Sequence, residues 1–202
     1  MGKTIKPIPA ALGFRVKSGW AMAVLLAGSS DAPKLVKCQV ALLSDPKIPE
    51  SKQPYHAALE LPKSEGKAVT QKLRRVVKAA AERSVKDLLK EARAAGYEVV
   101  GAALVVGSMV DPTFLHNEHI QAHGFEGQLF RTILEDAFRA HGISCATFLE
   151  KNAYAAAATA LDKTVAETKR TIADLGDSHE GSWRSEEKLA ALAAWVALTS
   201  NS

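Results

Sequence analysis

The chain predicts an α/β fold built on a mixed sheet: a three-strand antiparallel meander, then two parallel strands, with helices on its flanks. Three observations carry that expectation. Apolar stretches broken by Gly-containing turns fill residues 11–43, a long amphipathic helical pattern follows over 66–95, and a segment apolar on both faces comes next at 98–106.

Residues 11–27 read as two strands around a tight turn. Leu12, Phe14 and Val16 alternate, Lys17-Ser18-Gly19 supplies the turn, and Trp20 to Leu26 is nearly all apolar. After a second turn at 28–33, residues 35–43 form a third strand, whose Lys34 and Lys37 suit an exposed face or edge. Residues 44–65 hold Pro46, Pro49, Pro54 and Pro62, which exclude regular helix. The alternation of Tyr55, Ala57, Leu59 and Leu61 allows a short strand there.

The helix over 66–95 buries Val69, Leu73, Val76, Val77, Ala80, Leu88 and Ala92, and Gly96 is its stop. Residues 98–106 then read as a central parallel strand. A helix at 126–141 ends at Gly142, a strand occupies 143–149, and an Ala-rich helix covers 151–170. Residues 174–184 form a polar loop. Ser185 is the expected N-cap of the last helix, with Lys188 at N3. One domain is expected over 1–202, with residues 44–65 a Pro-rich connection.

Composition excludes several classes. With 47% hydrophobic and 24% charged residues, the chain has the make-up of a globular protein. No run approaches the roughly 18 apolar residues of a membrane span. Residues 1–6 lack an apolar leader core, and Lys6 stands where a myristoylation signal wants Ser or Thr. Cys38 and Cys145 lack paired spacing and read as two buried thiols. A cytoplasmic protein is expected. The net charge of +4 is uneven: residues 1–95 carry 18 Lys and Arg against 8 acids, and residues 96–202 carry 8 against 14. A basic half attracts nucleic acid or an acidic partner, although uneven surface charge alone gives the same count.

The meander followed by two crossover strands is not the opening of a plain doubly wound fold. It resembles the ribonuclease H-like superfamily, in particular the RuvC/YqgF-type Holliday junction resolvase-like domains. Gly13-Phe14-Arg15-Val16-Lys17-Ser18-Gly19-Trp20-Ala21 is similar to the first hairpin of RuvC-like proteins, where Gly-x-Asp precedes a Gly-containing turn. Glu186-Glu187-Lys188-Leu189-Ala190-Ala191-Leu192-Ala193 is similar to their last helix, where an acidic pair precedes an Ala-rich run.

The resemblance implies a two-metal centre with carboxylates from the first strand, the fourth strand and a later helix. The residues depart from it. Arg15 stands at the first-strand acid, with Lys17 beside it, and no acid occurs between Met1 and Ser30. The fourth strand ends Val105-Val106-Gly107-Ser108, with no carboxylate before Asp111. Only Glu186 and Glu187 remain. The expectation is therefore an acidic centre that has degenerated and no cofactor, or Mg²⁺ if a rearranged site of Asp111, Glu150, Glu186 and Glu187 works as a nuclease.

Three other constellations carry chemistry. His116, His119 and His123 share a face if 114–123 is helical, a spacing that suits a metal, but Gly124 and Gly127 favour a broken polar stretch and no metal is assigned. Glu150 stands where a parallel strand meets its helix, and either binds a ligand or caps. Arg74, Lys78, Lys86, Lys90 and Arg93 recur along the 66–95 helix, which in ribonuclease H-like enzymes helps to grip the duplex. They are the candidate nucleic-acid contacts, with a solvated helix face as the alternative. Three function classes follow. The first is a non-catalytic domain that binds nucleic acid or protein, the second a rearranged metal-dependent endonuclease. The third is a structural homodimer joined through a sheet edge or the Ala-rich helix at 153–161.

Overall fold

A computed structural model describes residues 6–199. Residues 1–5, on which the leader reading mostly rests, lie outside the described residues. Five strands form one mixed sheet: β1 (Ile8–Lys17), β2 (Trp20–Ser29), β3 (Ala32–Leu42), β4 (Tyr97–Val106) and β5 (Cys145–Leu149), in spatial order β3-β2-β1-β4-β5. β1 to β3 are antiparallel, and β4 and β5 are added in parallel. The first hairpin pairs Lys17 with Trp20, which leaves a two-residue turn in which Gly19 takes a positive φ of 82°.

Helices cover both faces. α1 (Lys63–Ala94) and α2 (Glu118–Ala140) lie on one face; α3 (Ala153–Ala160), α4 (Val165–Gly176) and α5 (Ser185–Thr199) lie on the other. The period-two alternation of β1 sorts its side chains between them. Leu12, Phe14 and Val16 join the α1/α2 core, where Phe14 meets Phe138 at 5.4 Å between ring centroids. Gly13 and Arg15 therefore face the α5 layer. A Cβ on Gly13 would stand 2.0 Å from the Ala190 carbonyl oxygen, and one on Gly101 would stand 2.8 Å from that of Ala197. Small residues on both partners let α5 lie directly on the centre of the sheet. Residues 189–198 are all buried, and the Trp195 indole donates to the Ser30 carbonyl at 2.6 Å.

Several elements differ from the sequence reading. The alternation at 55–61 is not a strand: two 3-10 turns, Pro49–Lys52 and His56–Ala58, satisfy their backbone groups locally. α2 begins eight residues early, capped by Asn117, and runs through both glycines. Gly124 is there for close approach, since a Cβ would meet Pro112 and Leu115 at 3.1–3.2 Å. The expected helix at 151–170 breaks at Asp162, whose φ is 51°, and restarts as α4 from a Thr164/Glu167 capping box. Ala153 and Ala157 are buried in one cluster with the last helix, and Ala158 is buried too, so this side of α3 is covered within the chain.

The last helix also starts differently. Lys188 N–H bonds the Arg184 carbonyl, and the Glu187 carboxylate accepts from Arg184 N–H at 2.9 Å. Arg184 is thus the N-cap and Glu187 the N3 acid, one residue before the expected frame. Among the described residues no helix is long and apolar enough to cross a membrane.

Candidate functional site

The carboxyl ends of β1, β4 and β5 lie side by side, as parallel pairing requires. Arg15 projects there from β1 and is 4% exposed. Its guanidinium donates to the Val16 carbonyl at 2.7 Å and to the Glu150 carboxylate, while its Nε is buried without a hydrogen bond. Glu150 opens the 3-10 turn Glu150–Asn152 immediately after β5. Lys17, two residues along the same face of β1, stands 3.4 Å from Glu186 in the first turn of α5. The Glu186 carboxyl is held below its usual value by its own backbone N–H, and next by Lys17 and Arg15.

The four acids of the rearranged-centre reading are therefore not gathered into one metal cage. Glu150 and Glu186 are paired with cations. Glu187 is buried as a capping acid, and its charge contributes to raising the Cys38 thiol, whose pKa is pushed up to about 11 chiefly by burial. Asp111 is exposed and accepts from the Thr113 backbone N–H at 2.9 Å and hydroxyl at 2.8 Å, which lower its pKa in that order. A divalent ion at this place would face the Arg15 guanidinium and would have to displace it from Glu150. The residues present do not fit a two-metal centre.

A cavity of about 270 Å³ opens beside the carboxyl ends, lined by Arg15, Lys17, Ser18, Ser108, Gln128 and Arg131, among others, with no Asp or Glu in its lining. Arg131 comes from α2. Its Nε is 3.9 Å from Glu135, whose carboxylate also accepts from Thr147 at 2.7 Å.

A second, larger groove of about 660 Å³ runs between α1 and α2. Arg74, Arg75 and Lys78 line one wall, and Phe125, Gln128 and Thr132 line the other. Tyr55 stacks on Phe125 at 5.1 Å between centroids, interplanar angle 21°, giving the groove an aromatic floor. Of the five candidate contacts on α1, Arg74 and Lys78 reach this groove. Lys86, Lys90 and Arg93 are exposed but lie outside its lining, roughly 100–160° around the helix from Arg74. Glu82, 3.8 Å from Lys78, and Asp136 temper the charge of the groove.

Sequence reading missed Arg75, Arg131 and the Tyr55–Phe125 pair. Arg75 adjoins a named residue, whereas Arg131 and Tyr55 come from separate elements and carried no local signal. The histidine triplet is also regrouped. His116 is exposed and precedes the Asn117 cap, outside the helix that was to align it. His119 and His123 share a face of α2, and the third imidazole beside them is His56.

No protein-family model matches the sequence, and no curated protein matches it. Solved structures do match in fold. A Thermus thermophilus RuvC in complex with a Holliday junction substrate aligns with a TM-score of 0.53 at 11% identity, over 93% of this chain and 90% of that one. A further Thermus thermophilus RuvC structure gives the same score and identity over 93% and 92%. The yeast mitochondrial Holliday junction resolvase Ydc2 gives 0.50 at 11% identity over 97% and 80%. The mixed sheet, its strand order and its flanking helices are those of the ribonuclease H-like fold as found in RuvC-type resolvases.

Proposed function

We propose that this chain is a non-catalytic ribonuclease H-like domain that binds the phosphate backbone of nucleic acid. One observation carries the reading: at the carboxyl ends of the sheet, Arg15 and Lys17 stand against Glu150 and Glu186, and the adjoining cavity is lined by three cations whose acidic neighbours lie outside its lining. The buried Arg15 guanidinium repels a catalytic ion, while the more exposed Lys17 and Arg131 are the cations that a phosphate can reach. The α1/α2 groove extends the basic surface with Arg74, Arg75 and Lys78, and the Tyr55–Phe125 stack offers a face to an unpaired base. The solved RuvC bound to a Holliday junction makes a branched duplex the natural first ligand.

The test is binding to labelled four-way junction, duplex and single strand across a salt series, with Mg²⁺ or Mn²⁺ present to reveal cleavage. The expected result is binding that weakens steeply with salt and leaves every substrate intact. Lys17→Gln/Arg131→Gln and Arg74→Gln/Arg75→Gln/Lys78→Gln each lower the salt slope by about one unit per lost phosphate contact. Absence of binding at low salt refutes the nucleic-acid role. Metal-dependent cleavage that disappears in Glu186→Gln/Glu187→Gln establishes the endonuclease reading instead.

A further inference from the structure

We propose that His56, His119 and His123 bind a single divalent transition-metal ion of the zinc class, at a site that shares no residue with the Arg15–Glu150 and Lys17–Glu186 pairs. His119 and His123 stand one turn apart on α2. The 3-10 turn His56–Ala58 brings a third imidazole against them, with ring centroids 4.5 Å from His119 and 4.1 Å from His123; the α2 pair is 4.9 Å apart. One nitrogen from each ring lies within 4.8 Å of the others. Zinc–nitrogen bonds of about 2.0–2.1 Å place tetrahedral ligands about 3.4 Å apart, within reach of small rotations of the two exposed rings.

Two buried atoms point independently to a ligand. Glu126 is wholly buried, and its Oε1 accepts from His56 Nδ1 at 2.8 Å and from the His56 backbone N–H at 3.2 Å. A carboxylate at Nδ1 keeps the proton there and leaves the Nε2 lone pair free on the far side of the ring, the arrangement that supports metal-bound imidazoles. That Nε2 is buried and makes no hydrogen bond. Glu126 Oε2 is likewise without a hydrogen bond, and His123 Nδ1 lies 3.9 Å away.

Donor chemistry selects the metal. Three imidazoles suit zinc, copper or nickel, whereas Mg²⁺ and Ca²⁺ prefer oxygen. The exposed side leaves a fourth position for water or an anion. Such an ion would fasten the Pro-rich segment to α2. Because His123 also lines the basic cavity, the ion would add positive charge beside it.

The test uses the full chain stripped with chelator, titrated with Zn²⁺ against a chromophoric competitor and with Co²⁺ followed in the visible spectrum. The expected result is one ion per chain and an intense tetrahedral cobalt spectrum. His119→Ala/His123→Ala removes both, and Glu126→Gln weakens zinc binding by about tenfold or more. His116→Ala leaves binding unchanged. The histidines replaced in the double variant are exposed, and its circular dichroism checks that it folds. Binding below one ion per chain, or undiminished binding in the folded double variant, overturns the proposal. Nucleic acid plays no part in the readout, so the site stands or falls apart from the function proposed above.

Discussion

The Arg15 guanidinium donates directly to the Glu150 carboxylate, tying the end of β1 to the turn that follows β5. The two residues are 135 positions apart and meet across the carboxyl edge of β4. Arg15 is buried while Glu150 is 41% exposed at its side chain, so the two ends of the pair respond differently to substitution. Glu150→Ala strands a buried cation and lowers unfolding stability by about 2 kcal/mol, below the usual value for a fully buried pair because water reaches this one. Arg15→Met leaves a carboxylate that water can solvate and costs less. Urea denaturation of both singles and the double variant checks the order.

Two glycines give opposite signs. Gly13→Ala drives a methyl into the α5 backbone and costs about 3 kcal/mol or prevents folding. Gly127→Ala, on the exposed side of α2 with nothing near its Cβ, raises stability by about 0.5–1 kcal/mol. Thermal unfolding of the two variants measures both.

Acid weakens the fold through capping and paired carboxylates. Glu167 is held below its usual value by the Thr164 hydroxyl and backbone N–H, and Glu91 by Lys37 and Gln39. A depressed carboxyl contributes stability above its unfolded pKa, and that contribution is lost as pH falls through the folded value. Stability therefore declines as pH falls through and below the ordinary glutamate value of 4.5, and the decline is shallower in Thr164→Ala. Chemical denaturation at a series of acidic pH values reads the slope.

The two thiols are partly buried, not fully buried as their spacing-free sequence reading has it, and both are expected to react slowly in the native chain. Burial pushes the Cys145 pKa up to about 12 and that of Cys38 up to about 11. Both label slowly with a thiol reagent at about pH 8 and rapidly once urea is added. Fast labelling of native protein would contradict the placement of both residues.

The element order was legible because strand alternation and helical periodicity are local signals. The absence of an acid on β1 was legible directly, because none occurs between Met1 and Ser30. Breaks were harder to see. The left-handed Asp162 and the Thr164-x-x-Glu167 box sit inside an Ala-rich run whose propensity favours one helix. The α5 frame slipped by one because Ser185 is a better intrinsic cap than Arg184, yet Glu187 reaches Arg184. At the histidines the i, i+4 spacing of His119 and His123 was visible. His56 was not, because only the tertiary fold brings the Pro-rich segment onto α2.

The central claim is that cations, not a metal ion, hold the carboxylates at the sheet's carboxyl edge. A crystal soaked in Mn²⁺ and measured for anomalous scattering tests it most directly. The account predicts no manganese peak between Glu150 and Glu186, with Arg15 still on Glu150. A peak there, with the Arg15 side chain swung away, would contradict it.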